Sequence, residues 1–220
     1  MNDIIHFTPV VFKNWRDLLL IHKFALEEVE TKVNILNQEF LYTKDYNPIE
    51  HIKTRIKTQE SIRKKLRRKG YEPDLKNALI KIHDIAGIRI ICSFKDDIFT
   101  IAEMLKNQDD IEVVKISDYV TNPKQNGYQS YHIVVSVPVF LSSVTQHLNV
   151  EIQIRTSAMD FWASLEHKIN YKYNNKAPQE LLVRLRECAK ISSELDEKMS
   201  GIKESVDAIK KIDINDVMLS

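Results

Sequence analysis

The sequence predicts an α+β chain: a five-stranded mixed β-sheet covered by helices, with a long helix at each end. Three observations carry this. Val150-Glu151-Ile152-Gln153-Ile154-Arg155-Thr156 alternates apolar and polar residues, the period of a strand with two unlike faces. From Trp15 to about Tyr42 the apolar residues recur at three- and four-residue steps, the period of an amphipathic helix. Segments of both kinds interleave in the order α-β-α-α-β-α-β-β-β-α-α, which covers a mixed sheet with helices.

The first helix carries Leu18, Leu19, His22, Leu26, Val29, Val33, Leu36 and Phe40 on one stripe. Asn47-Pro48-Ile49-Glu50 has the form of a capping box with proline at the first helical position. The next residues alternate instead: Ile52, Thr54 and Ile56 against His51, Lys53, Arg55 and Lys57. The expectation is one helical turn followed by a short strand with a fully basic face, because a helix would scatter those charges around its circumference. Thr58 caps a basic helix from Gln59 to Lys69, which Gly70 closes. A short helix follows from Asp74 to about Ile82.

Ile88 to Phe94 reads as a mostly buried strand. Asp96 and Asp97 open a helix to about Asn107, and Glu112 to Ser117 is a strand. The turn-rich loop Thr121 to Gly127 leads into a long strand predicted from Tyr128 to Phe140. The alternating strand, Leu148 to Arg155, follows a hairpin turn. Helices over about 157–171 and 178–210 close the chain. The last one carries a stripe from Leu182 to Ile209 suited to its own domain or to a partner helix. The division this implies is a helical segment over 1–46, a central α+β core over 47–173 and a packing or oligomerisation helix over 174–220.

With 43% hydrophobic and 29% charged residues, the composition is that of an ordinary globular protein. The longest apolar-rich run, Ile133 to Leu141, is interrupted by Ser136 and Pro138 and is far too short to span a bilayer. No signal peptide is evident at Met1-Asn2-Asp3. Cys92 and Cys188 read as small buried residues of a reducing cytoplasm, making neither a disulfide framework nor a zinc site. Net charge is +1, yet Lys53 to Lys69 holds nine basic residues and one acid, a local +8 that leaves −7 on the remainder. So concentrated a patch points to a specific anionic ligand.

Asp84 lies between Ile82 and Ile85, just before a buried strand, where a carboxylate is costly unless paired or hydrogen-bonded. Glu151 is the second acid. Two carboxylates from two strands of one sheet suit Mg²⁺, which keeps waters and shares its other positions with substrate phosphates. No His/Cys cluster has zinc spacing, and no glycine-rich phosphate loop occurs among only four glycines. Phosphates must therefore be held by side chains, which the basic strand and helix supply through Lys57, Ser61 and Lys65. Tyr128, after Asn126-Gly127, ends a polar loop in an aromatic suited to stacking a base. His83-Asp84 also raises a metal phosphohydrolase, a chemistry for which further ligands are not in pattern.

These residues resemble the small alarmone synthetases, the single-domain members of the RelA/SpoT family. The matching segments are Arg55-Ile56-Lys57 with Ser61-Ile62 and Lys65, then His83 to Arg89, Asn126 to His132, and Val150 to Thr156. They stand in family order and span about residues 48–173. The resemblance implies a nucleotidyltransferase-like synthetase fold. It also implies transfer of the β,γ-pyrophosphate of ATP to the 3′-hydroxyl of GDP or GTP, giving ppGpp or pppGpp and AMP. On the same footing Asp84 is on Mg²⁺, and Glu151 is a second metal ligand or the group that activates the 3′-hydroxyl. Arg55 and Arg89 hold the adenine, and Lys57, Ser61 and Lys65 the ATP phosphates. Tyr128 stacks on guanine, Asn126 and His132 lie near the acceptor, and Gln153 and Arg155 complete the cleft wall.

The resemblance implies a homotetramer as well. The chain has no room for the hydrolase and regulatory domains of the long family members, so synthesis without hydrolysis is expected. The positions before Arg55 read His51-Ile52-Lys53-Thr54, which resembles the subfamily without allosteric activation by product. The alternative to an enzyme is a non-catalytic nucleotide- or RNA-binding protein that uses the basic stripe, for which two acids in register would have no purpose.

Overall fold

Two parallel neighbouring strands, β2 (Ala86–Cys92) and β5 (Thr145–Thr156), form the centre of the sheet. The structure is a computed structural model that describes residues 13–44, 46–173 and 177–218. The other strands are β1 (Ile49–Ile56), β3 (Glu112–Asp118) and β4 (Tyr131–Phe140), in the sheet order β1-β2-β5-β4-β3. All pairings except β2 with β5 are antiparallel, so the sheet is mixed, as the sequence predicts. The described helices are α1 (Trp15–Thr43), α2 (Gln59–Arg68), α3 (Leu75–Lys81), α4 (Lys95–Lys106), α5 (Ser157–Lys172) and α6 (Gln179–Met218). Their order along the chain is the predicted one.

Alternation along the central strands explains the layering. Ile88 and Ile90 of β2, Ile133 and Val135 of β4, and Val150, Ile152 and Ile154 of β5 face one side and are buried. Against them lie Leu26, Val29 and Val33 of α1 and Ile98, Ile101 and Leu105 of α4. Each such side chain contributes roughly 1.5–3 kcal/mol when fully removed from water. A second cluster of Leu18, Ile62, Leu66, Ala78, Ile82 and Ile85 ties α2 and α3 to the start of α1. With α1 on one face, the polar positions of β2 and β5 are left on the other.

Three local expectations are corrected. No helical turn precedes β1: Asn47 Oδ1 accepts the Ile49 amide at 3.0 Å, two residues on, and the chain goes straight into the strand. The capping signal is spent on this turn instead. Strand β4 begins at Tyr131, not Tyr128. Gly127, at φ 89°, and the bond from Lys124 N–H to the Tyr128 carbonyl keep residues 124–128 in a closed turn. Cys92 is buried as expected, but Cys188 is exposed. Along α6, Ala189 is buried, whereas Leu195, Met199, Ile202, Val206 and Ile209 are exposed on the single chain. Farther along, polar contacts hold α6: Thr156 Oγ1 donates to Asp196 at 2.7 Å, and Lys203 pairs with buried Asp97 at 3.2 Å. No helix among the described residues is long and apolar enough to cross a membrane.

Candidate active site

On the sheet face away from α1, strand register assembles a polar row. Lys53 is opposite Arg89, Arg89 opposite Gln153, Gln153 opposite His132, and His132 opposite Ser117. One step along, Arg55 is opposite Gly87 and Gly87 opposite Glu151. Lys53, Arg55, Gly87, Arg89, Glu151 and Gln153 line a cleft of about 250 Å³, with Arg55 and Arg89 on one side and Glu151 and Gln153 on the other. Gly87 forms its floor: a Cβ there would come no nearer than 3.7 Å to the Glu151 carbonyl, so its hydrogen leaves space rather than relieving strain.

Asp84 is in the turn between α3 and β2. The Lys57 amide donates to the Ile85 carbonyl at 2.8 Å, which draws the end of β1 alongside. Lys65 Nζ of α2 is then 2.5 Å, and Lys57 Nζ 3.3 Å, from the same oxygen, Asp84 Oδ2. Burial works to raise the Asp84 carboxyl, but the Lys65 hydrogen bond and the charges of both lysines outweigh it and hold it below its ordinary value. Burial lowers Lys57. The other oxygen, Oδ1, is buried without a hydrogen-bond partner. A partnerless buried carboxylate oxygen is costly, and it is a hard donor of the kind Mg²⁺ takes.

Glu151 has its own support. Burial pushes it up, yet hydrogen bonds from His132 Nδ1 at 3.2 Å and Gln153 Nε2 at 2.8 Å bring it below its ordinary value. Asp84 contributes repulsion to Glu151 across the cleft. His132 Nε2 meets the Tyr128 hydroxyl at 2.8 Å, and Arg155 donates to that hydroxyl. One tautomer satisfies the chain: Arg155 donates to Tyr128, Tyr128 to Nε2, and Nδ1–H to Glu151. The Tyr128 ring also carries Lys124 Nζ 4.7 Å and the Arg155 guanidinium 5.1 Å from its centroid.

Most of the sequence-predicted residues therefore fall into linked groups: Arg55, Arg89, Glu151 and Gln153 around the cleft, Lys57 and Lys65 on Asp84, and Tyr128 and His132 in the hydrogen-bonded chain that reaches Glu151. Ser61, in the first turn of α2, accepts from Thr58 Oγ1 at 2.9 Å and is exposed. Asn126 turns away from the cleft. Its Oδ1 accepts the Tyr128 amide and its Nδ2 donates to Glu166 at 3.1 Å, so its evident work is shaping the loop. Arg155 continues the alternation of β5 but is only 4% exposed, an anchor beneath Tyr128 more than an open wall. His83 bonds Asn149 at 2.8 Å while Asp84 pairs with lysines, so the two do not form a joint ligand pair. Among the described residues no group of three His, Cys, Asp or Glu side chains is placed to hold a metal.

One further charged residue, outside the sequence-based expectations, joins this network. Asp160, in the first turn of α5, accepts from Arg89 Nη1 at 2.9 Å and from Arg155 Nη1 at 3.2 Å. The sequence held a signal for it. Thr156 is both strand end and helix cap, accepting the Met159 amide at 3.1 Å, which turns the next residue, Asp160, back toward the strand.

Residues 54–176 match the family described as "Region found in RelA / SpoT proteins". The chain is 51% identical over 197 residues to GTP pyrophosphokinase YwaC of Bacillus subtilis, covering 90% of this chain and 94% of that one. It is 41% identical to GTP pyrophosphokinase YjbM of the same organism, covering 88% and 90%. Among solved structures, small alarmone synthetase 1 of B. subtilis bound to its product pppGpp superposes with a TM-score of 0.82 at 41% identity, covering 87% of this chain and 97% of that one. Small alarmone synthetase 2 of that organism superposes at 0.80 with 50% identity, covering 87% and 98%.

Proposed function

The chain belongs to the RelA/SpoT family and is a GTP pyrophosphokinase of the small alarmone synthetase kind, and from that premise we propose how its cleft divides the work. The reaction moves the β,γ-pyrophosphate of ATP to the ribose 3′-hydroxyl of GDP or GTP. The 3′-oxygen bonds to the β-phosphorus, the bond from that phosphorus to the oxygen bridging the α-phosphate breaks, and AMP leaves. Such transfers depend on positioning and charge neutralisation more than on covalent participation by the protein.

Arg55 and Arg89 hold the adenine. A planar, weakly hydrated guanidinium suits an aromatic face, and each such contact is worth roughly 0.5–2 kcal/mol. Lys57, Lys65 and Ser61 take the donor phosphates. Asp84 and Glu151 would hold Mg²⁺, whose chemistry there is to neutralise charge on the phosphate oxygens. The partnerless Oδ1 of Asp84 is the observation that fits that ion. Glu151, ionised at neutral pH, accepts the proton of the 3′-hydroxyl. Tyr128 stacks the guanine, with His132 and Arg155 fixing its hydroxyl and Asn126 shaping its loop. Gln153 orients Glu151.

The observation that carries this assignment is Asp84, ion-paired to Lys57 and Lys65 and within electrostatic reach of Glu151 on the wall of a cleft that Arg55 and Arg89 also line. Its test is a chromatographic assay with Mg²⁺, ATP and each of GDP and GTP. AMP should appear in step with ppGpp or pppGpp, and Glu151→Gln should stop both while nucleotide binding persists. Undiminished product from Glu151→Gln would refute the assignment. We also read the protein as synthesising without hydrolysing, and as a homotetramer. The exposed Leu195, Met199, Ile202, Val206 and Ile209 of α6 support an assembly.

A further inference from the structure

A single carboxylate joins the two nucleotide sites. Asp160 Oδ1 accepts from Arg89 on the donor side and from Arg155 on the acceptor side, at 2.9 and 3.2 Å, and its Oδ2 is 4.0 Å from Lys53. Asp160 is 9% exposed and Arg155 4%, so this is an interior junction rather than a surface ion pair, which would count for little. Its setting favours an anion twice over: three cations face it, and it lies in the first turn of α5, at the positive end of the helix.

The two guanidiniums repel each other: burial lowers the Arg155 pKa, and the Arg89 charge lowers it further. The Asp160 carboxylate between them offsets that repulsion by bonding both. Their further contacts differ. Arg89 is partly open to the cleft, whereas Arg155 is committed to Ser130 Oγ at 3.1 Å, Gln153 Oε1 at 2.9 Å and the Tyr128 hydroxyl. Whatever fixes Arg89 therefore fixes Asp160, then Arg155, then the ring on which guanine stacks.

We propose that Asp160 is a positioning residue that couples the sites, so that a nucleotide held by Arg89 pre-orders the Tyr128 platform for the acceptor. This rests on the assignment of Arg89 to the donor and Tyr128 to the acceptor given above. Asp160 touches neither nucleotide and acts through the arginines. Coupling is reciprocal: the factor by which donor tightens acceptor equals the factor by which acceptor tightens donor.

The test is equilibrium binding of GDP with and without a saturating methylene-bridged ATP analogue, on the full chain with Mg²⁺. Wild type should bind GDP about ten-fold more tightly in the presence of the analogue. In Asp160→Asn, which keeps the volume and an acceptor oxygen but loses the charge, that ratio should fall to near one. A wild-type ratio of one overturns the proposal without any variant. So does a ratio in D160N equal to that of wild type. If wild type forms no pyrophosphorylated product at all, the functional assignment fails instead. If product forms and the ratio is one, only the coupling fails.

Discussion

Lys65 Nζ lies 2.5 Å from Asp84 Oδ2, and Lys57 reaches the same oxygen from the other side at 3.3 Å. Two ammonium groups thus crowd one carboxylate oxygen while its twin has none. One lysine suffices to neutralise Asp84, so the second is available to phosphate. Lys65→Met should raise the KM for ATP about ten-fold or more and leave the KM for GDP near its wild-type value. Asp84→Asn should lower kcat by at least about 100-fold, because it removes a carboxylate that would hold Mg²⁺ against the transferring phosphates. Initial rates of AMP release with each substrate varied decide both. Equal increases in the two KM values for Lys65→Met would mean that the lysine is structural.

Hydrogen bonds from His132 and Gln153 depress Glu151 against the pull of burial. A base with a lowered pKa is ionised above that pKa and fails only below it. The acid limb of kcat/KM should therefore lie below 4.5, the ordinary glutamate value. His132→Phe removes one of the two donors and leaves burial in force, so the limb should move up in pH. A pH–rate profile of both proteins measures this, and coincident acid limbs would show that Glu151 is not the titrating base.

How much of this was readable beforehand follows from the periods involved. The two-residue alternation of β5 sets Glu151, Gln153 and Arg155 on one face whatever else happens, so their direction was legible. Which strands lie beside β5 is a matter of tertiary register, and the opposition of Arg89 to Gln153 and of Gln153 to His132 is not written in either segment alone. The aromatic ring of Tyr128 fits a β pattern, so periodicity alone extends the strand to it. The Asn126 side chain and Gly127 override that preference locally. Asp160 escaped notice because its partners, Arg89 and Arg155, come from two strands, and an acid in a first helical turn is ordinarily only a dipole partner.

Gly127 adopts φ 89°, and a Cβ placed on it would stand 2.4 Å from Ala189 Cβ on α6. Backbone conformation and close approach thus both demand glycine. Gly127→Ala should cost about 1–2 kcal/mol for the left-handed backbone and about 1–3 kcal/mol for overpacking. Pairing it with Ala189→Gly should recover the second part and not the first. Urea denaturation of the two single variants and the double variant measures the difference. Strict additivity would mean that the loop does not lean on α6.

The last prediction concerns stability. His22 is 2% exposed within α1, with Nδ1–H donating to the Leu18 carbonyl at 2.7 Å. Burial lowers its pKa from 6.5 to about 4, with the Leu18 bond opposing. Below pH 6.5 the unfolded chain takes up a proton that the folded chain refuses until about pH 4. The unfolded state then binds more protons, so acid favours unfolding throughout that window. The contribution is fully present above pH 6.5 and is lost as pH falls toward 4, with a slope of about 1.4 kcal/mol per pH unit and a total of roughly 3 kcal/mol. His22→Gln keeps a donor for the Leu18 carbonyl but cannot titrate. Its unfolding free energy should fall less steeply than that of wild type between pH 6.5 and 4.5, and the two should run parallel above pH 7. Parallel curves across the whole range would show that His22 is already charged in the folded protein, with its second ring nitrogen finding a partner inside the core.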